Sequence, residues 1–321
     1  MTQAVGAHSS YDEPIGTGGN REDLSDILFD LSPTETPALT AMKKNNATAT
    51  SHDWLTDTLA DPADNAHIEG DDATPVEPAS RVRLANYTQI FKKHAVVTGT
   101  QEKVLKGGGV KSEMAYQAAR RLKEIKRDCE RAMVGVNNAK VAGSDTVARE
   151  LGSLTTYLDD TSFQSADGTP PAGNGVDVPT DGTPRALDED ILKGGLEQLW
   201  NQSGGNENII ALAGSFNRGI ISTFTASSTR YVTTDDKKLV ASIDVYDGDF
   251  HTVTVTPDRY SLAGNLLLID PEYLACSELR AAQTTDLAKL GDSTRKEIVW
   301  EVTLEVCNPL AHINIAALTT S

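Results

Sequence analysis

Gly107-Gly108-Gly109-Val110-Lys111-Ser112 stands just ahead of a helical pattern, where a phosphate-binding loop would sit. The match fails on physical grounds. The lysine of such a loop follows a glycine, and here Val110 occupies that position while Leu105 replaces the first glycine. Asp61, Asp64, Glu69, Asp71 and Asp72 offer oxygen ligands for calcium, but the spacing is not that of an EF-hand loop and Pro62 intrudes. A solvated loop tip is the plainer reading, and a weak cation site the sharper one. His8, His52, His67, His94, His251 and His312 form no HxxxH or HxH pair and none adjoins a cysteine, so they read as surface or packed histidines. Gly214-Ser215 follows a strand pattern without the Gly-x-Ser-x-Gly of a nucleophile elbow. Cys129, Cys276 and Cys307 are odd in number and far apart, which fits neither a disulfide framework nor a zinc site. They read as small apolar side chains near a core. The expectation is therefore no enzyme, no catalytic residue, no cofactor and no metal.

Without a convergent polar site, the elements carry the reading. A chain of 321 residues suits one large domain or two modest ones. Its mean hydropathy of -0.33, with no long apolar run, argues against a membrane span. No basic stretch followed by an apolar one opens the chain, so a soluble protein made in a cytoplasm is expected. The net charge of -17 is unevenly spread: -12 over residues 1–80, +9 over 81–140 and -14 over 141–321. An acidic arm and a basic middle can pair within a chain or between copies. The plainer alternative is two solvated surfaces that never meet.

The start, through Gly19, reads as a flexible polar arm. Leu24, Ile27, Leu28 and Leu31 then recur at helical spacing with acids in the first turn. This amphipathic helix is too short to stand alone and needs a surface to lie on. Residues 47–58 and 81–100 alternate around a turn-rich tip at 59–80, which predicts a two-stranded ribbon. A lone ribbon buries too little to be stable and is laid on a neighbour or covered by a third strand. After a Gly107–Gly109 hinge, Ser112 is positioned to cap a helix running to about Asn137. Ala115, Ala118, Leu122, Ile125, Cys129, Ala132 and Val136 form its apolar stripe, and the rod is roughly 40 Å long. Its polar side carries Arg120, Arg121, Lys123, Lys126, Arg127 and Arg131 with Glu124, Asp128 and Glu130, so it needs counter-charges elsewhere.

Residues 143–185 read as a long loop with a small element near Leu151–Leu158. Beyond it, helix and strand alternate. Leu187–Trp200 predicts a helix, Asn208–Ala213 a buried strand, and Ser215 or Asn217 a cap for a helix through Phe224. Val240–Val245, Thr252–Thr256 and Leu266–Ile269 predict strands, with a short turn at Pro271–Leu274. Lys296–Cys307 alternates cleanly, with Ile298, Trp300, Val302, Leu304 and Val306 against a face containing Glu297, Glu301, Thr303 and Glu305, as a long strand with one wet face would. A last strand is expected at Ala311–Leu318.

Several linked strings between Tyr11 and about Asn137 carry a resemblance. They are Asn20-Arg21-Glu22-Asp23-Leu24-Ser25-Asp26 with Pro33-Thr34-Glu35-Thr36-Pro37, Trp54 with Leu59-Ala60-Asp61-Pro62 and Asn65-Ala66, Glu69-Gly70-Asp71-Asp72-Ala73, Asn86-Tyr87-Thr88-Gln89-Ile90, and Lys123 through Glu130. In this order they resemble the major capsid (major head) proteins of tailed bacteriophages. The match is good through about Leu158 and only architectural beyond it. It implies an α+β chain with the Hong Kong 97-type capsid fold. Residues 1–46 would be the N-arm, 47–100 the E-loop, and 101–185 the spine helix and first part of the P domain. Residues 186–285 would form the A domain, and 286–321 the returning P-domain strands. The resemblance implies self-assembly into hexamers and pentamers of an icosahedral shell around double-stranded DNA. Leu24, Ile27, Leu28, Trp54, Tyr87, Arg120, Arg127 and Arg131 are the expected subunit-interface residues.

Two departures from the pattern matter. Many relatives carry a cleaved helical scaffolding segment ahead of the arm, whereas Met1 lies only about ten residues before the matching region. A separate scaffolding protein is therefore expected, with a portal and, as an option, a decoration protein. Some relatives crosslink Lys to Asn, but Lys103, Lys106 and Lys111 carry no mark of it. At a sequence pI near 4.7 the whole protein is a poor DNA binder, so any contact with packaged DNA would be non-specific and local to the basic helix. A surface-layer or adhesin domain is the alternative, but it would need an export signal.

Overall fold

The computed structural model describes residues 32–72, 80–106, 109–203, 208–224 and 245–321. In chain order these form helix α1 (Pro37–Ala41), strands β1 (Lys43–Asn46), β2 (Ser51–Thr56), β3 (Val82–Tyr87) and β4 (Gln89–Thr98), and helices α2 (Gly99–Lys103) and α3 (Glu113–Val134). Strand β5 (Phe163–Gln164), helix α4 (Glu189–Ser203), strand β6 (Asn208–Ala213) and helix α5 (Ser215–Ile221) follow. Strands β7 (Val245–Asp247), β8 (Thr252–Pro257), β9 (Leu266–Ile269), β10 (Leu274–Leu287), β11 (Ser293–Val306) and β12 (Ile313–Ile315) complete the set. The amphipathic segment with Leu24, Ile27 and Leu28, residues 240–244 of an expected strand, and Gly107 and Gly108 lie outside the described residues.

The first core lies between α3 and a four-stranded sheet ordered β1-β10-β11-β4. Ser112 starts α3 as predicted, its hydroxyl oxygen accepting from the Ala115 N–H at 3.3 Å. Gly135 ends it where the chain passes so close to the loop after β8 that an added Cβ would stand 1.8 Å from the Tyr260 carbonyl oxygen. Ile125, Cys129, Ala132, Met133 and Val134 are buried in the same cluster as Phe91, Ala95, Ile298, Trp300 and Val302. Burying Ile125 alone contributes about 1.5–3 kcal/mol. The stripe is buried only in its second half. Ala115 is exposed and Leu122 half-buried, while Met114 in the first turn reaches the core from beside the stripe.

The second core lies on a six-stranded sheet ordered β5-β12-β9-β6-β8-β7. Leu192, Leu196 and Leu199 of α4 and Ile221 of α5 belong to it. Strand β9 is apolar throughout because it is flanked by β12 and β6 and all four of its residues are buried. Gly214, rather than Ser215 or Asn217, holds the cap position of α5.

The α+β expectation holds, but four local readings need correction. Only β2 and β3 form the ribbon, in register from Ser51↔Tyr87 to Thr56↔Val82. The alternation at 89–98 belongs to β4, which pairs with β11 instead. Strand β10 went unpredicted because Leu-Ala-Cys-Ser-Glu-Leu-Arg-Ala-Ala-Gln lacks alternation and is strand only through its pairing with β11. The supposedly wet face of β11 is covered at Glu301 and Thr303, both buried, and half-buried at Glu297, Val299 and Glu305. Finally, the small element expected near Leu151–Leu158 is present as a 3-10 turn at Leu154–Tyr157, but it belongs to the core rather than to a loop, with Leu151, Leu154, Tyr157 and Leu158 fully buried.

Candidate assembly surfaces

The ribbon is anchored at one end and bare at the other. At its root, Trp54 and Leu84 are buried, and the Trp54 ring stacks at a tilt 5.8 Å from Tyr157. Beyond Trp54, no described residue covers the apolar side chains of the ribbon. Leu55 is 62% exposed, Val82 57%, Ile68 83% and Leu59 98%. Isolated apolar residues on a surface are ordinary, but four on one projecting element mark an interaction surface. Ion pairs of Arg83 with Asp53, and of Arg81 with Asp57, brace the two strands across the ribbon.

The string Asn86-Tyr87-Thr88-Gln89 is the junction where the chain leaves the ribbon and enters the sheet. Buried Asn86 donates from Nδ2 to the carbonyls of Leu304 (2.8 Å) and Gly152 (3.1 Å). Its Oδ1 accepts from the N–H groups of Gly152 (2.8 Å) and Tyr87 (2.9 Å). The Thr88 hydroxyl donates to Glu301 Oε1 (2.9 Å), and Gln89 Oε1 accepts from Leu151 N (3.2 Å). The Ala85 carbonyl accepts from the Tyr157 hydroxyl (2.9 Å) and from Lys140 Nζ (2.8 Å). Burial of Tyr157 drives its hydroxyl pKa upward, so it stays a donor.

Two carboxylates on β11 complete the clamp. Glu301 pairs with Arg149 and with Arg280 Nε at 2.6 Å, while Arg149 Nε donates to the Thr88 carbonyl at 2.6 Å. Breaking one partner of such a buried cluster is costly, because the charge left behind has no water. Glu305 accepts from Ser277 (2.8 Å) and Asn45 (3.0 Å) and lies 3.1 Å from His52 Nε2. These bonds hold its carboxyl below the ordinary range against the opposing effect of burial. Sequence reasoning missed Glu301 and Glu305 as clamp residues. Their alternation with apolar neighbours is the same for a wet face and for one covered by other polar groups.

The basic side of α3 is a second surface. Arg120 and Arg121 both reach Glu124, and Lys93 of β4 pairs with Asp128 at 2.7 Å. Arg127 lies over the Tyr260 ring, 5.4 Å from its centroid. Arg120, Lys123 and Arg127 line a small recess with Ser32 and Thr34, so the segment ahead of α1 lies against the basic side of the helix. Arg131 is exposed beside a groove lined by Gln89, Phe91 and Lys93. Arg120 and Arg127 therefore meet at one recess, whereas Arg131 faces another and Trp54 and half-buried Tyr87 lie at the ribbon root. A third surface is the hairpin joining β10 to β11, where every residue from 280 to 292 is exposed.

Among the described residues no cluster of three or more His, Cys, Asp or Glu side chains could hold a metal ion, and no helix is long and apolar enough to cross a membrane. Cys129 and Cys276 are buried, and burial pushes the Cys129 thiol upward.

A long helix on one sheet, a second sheet with its own core, and a projecting ribbon define a phage capsid subunit with the Hong Kong 97-type fold. The described architecture matches a subunit of the cyanophage A-1(L) capsid with a TM-score of 0.68 at 12% identity, over 94% of this chain and 98% of that one. It matches a subunit of the native GTA particle capsid with a TM-score of 0.63 at 14% identity, over 99% and 100%. Residues 8–319 match the model of the SU10 major capsid protein family, and the chain belongs to that family. It is a structural capsid protein and not an enzyme. The major capsid protein of Escherichia phage Phieco32 is 33% identical over 126 residues, 39% of this chain. That match spans only 34% of the Phieco32 protein.

Proposed function

We propose that this chain self-assembles into the hexamers and pentamers of an icosahedral shell that encloses viral double-stranded DNA. The observation that carries the reading is the ribbon, which is clamped at its root by Asn86, Glu301 and Tyr157 yet uncovered by any described residue along its outer apolar side chains. A rigid projection with bare Leu55, Leu59, Ile68 and Val82 is stable only when a neighbour lies beneath it. Strands β2 and β3 with their tip take the E-loop role, α3 the spine role, and the second core the A-domain role. The interface set is Leu24, Ile27 and Leu28 on the arm, Trp54 and Tyr87 at the ribbon root, and Arg120, Arg127 and Arg131 on the helix. Trp54 would act by aiming the ribbon, being itself buried. Charge complementarity between the acidic arm and the basic helix sets register more than affinity.

A scaffolding protein and a portal are the further partners. A decoration protein is another, as in the solved phage G capsid, whose description names major capsid and decoration proteins (TM-score 0.53, 11% identity). Contact with packaged DNA is non-specific and on the inner face, and the protein is made in the host cytoplasm. Deleting residues 1–32 tests the reading. A subunit with an unchanged circular dichroism spectrum that no longer forms shells supports it, and shells of normal size and yield refute the role of the arm.

A further inference from the structure

Glu130 serves none of the surfaces above. Spacing along α3 puts it among the charged residues, yet it is fully buried. Both carboxylate oxygens accept backbone N–H bonds from α1, Oε1 from Ala38 at 2.8 Å and Oε2 from Leu39 at 2.7 Å. These amides belong to the first turn of a short helix, where no intrahelical carbonyl is available to them. Close by, the Tyr260 hydroxyl donates to the Pro33 carbonyl at 2.9 Å, under the Arg127 guanidinium. Residues 33–41 are thus gripped between α3 and the loop that follows β8 in the second core.

We propose that Glu130 is a positioning residue for the amino-terminal arm, its two carboxylate oxygens clasping the root of the arm to the long helix. The clasp is a property of the single subunit. It rests on the assembly reading only for its consequence, which is where the arm is aimed.

Helix α1 brings no titratable side chain to the clasp, and the loop brings Asp258 and Tyr260. Burial pushes the Glu130 carboxyl up to about 7, against the pull of the Leu39 and Ala38 N–H groups and with help from Asp258. The two N–H bonds are thus the favourable interactions that hold a buried carboxylate at this place.

The test is hydrogen–deuterium exchange of the full-length dissociated subunit, the unaltered protein beside Glu130→Gln, which keeps the shape but only one acceptor oxygen. The expected result is slow exchange of residues 36–42 in the unaltered protein and exchange faster by roughly tenfold or more in Glu130→Gln, with the strands of the first core unchanged. Unprotected residues 36–42 in the unaltered protein, or equal exchange in both proteins, overturns the clasp. The unaltered protein gives its answer even if the variant folds poorly. Protection of residues 36–42 in subunits that never assemble keeps the clasp and sinks the assembly reading, and no protection in subunits that form shells does the reverse.

Discussion

Asn86 and Gly152 bind each other twice, the Asn86 amide donating to the Gly152 carbonyl at 3.1 Å and accepting from the Gly152 N–H at 2.8 Å. The pair joins the end of the ribbon to the buried stretch at 151–158, and the same amide reaches across to Leu304 of β11 at 2.8 Å. One side chain thereby fixes the ribbon to two other elements.

Asn86→Ala should remove the bonds to the Gly152 N–H, the Gly152 carbonyl and the Leu304 carbonyl at a buried junction, at a cost of roughly 2–4 kcal/mol. Urea unfolding followed by tryptophan fluorescence reads the loss directly, because Trp54 lies at the same root. An unchanged midpoint would mean that the junction is held by something else.

Gly135→Ala should destabilise the subunit by about 1–3 kcal/mol, because its Cβ would fall 1.8 Å from the Tyr260 carbonyl oxygen and force α3 away from the loop. Gly194→Ala is the control, since nothing stands within 4 Å of its added Cβ and a helical site with open space favours alanine. Differential scanning calorimetry should lower Tm for the first and leave it equal or higher for the second.

His312 sets an acid limit on stability. Its Nδ1 accepts from the Asp270 N–H at 3.2 Å, and burial pulls its pKa from 6.5 to about 3. The unfolded chain therefore binds the extra proton first. The contribution of His312 is complete above pH 6.5 and is lost as the pH falls toward 3. Denaturation midpoints across that range should fall less steeply in His312→Asn, which keeps an acceptor near Nδ1 and cannot be protonated.

Replacing Arg120, Arg127 and Arg131 by Glu should disturb assembly more than folding. Within the subunit the change removes the Arg120–Glu124 pair and the Arg127–Tyr260 contact, together worth about 1 kcal/mol. Particle yield by sedimentation, read beside thermal stability, separates the two effects. A collapse of stability with normal assembly of the remaining folded protein would assign these charges to the subunit itself.

The longest periodic elements were legible from the sequence. Helix α3 starts at the Ser112 cap, and β6, β8, β9 and most of β11 lie where their patterns place them. Such elements announce themselves because their apolar residues face one core at a fixed period. Strand β10 does not, since its outer half is exposed and its identity comes from a partner distant in sequence. Glu130, Glu301 and Asn86 were hidden for a related reason. A polar side chain reads as solvated until the fold supplies the backbone groups or guanidinium that bury it. The Asn86-Tyr87-Thr88-Gln89 string was visible as a resemblance, and its physical basis is that three of its four side chains hold the ribbon to the body.

Particle size tests the central claim most directly. The protein should be expressed alone and together with the products of neighbouring genes, then examined by sedimentation and negative-stain electron microscopy. Closed shells, or rings of five and six subunits, are the predicted result. A stable 34.3 kDa monomer under both conditions would contradict the account.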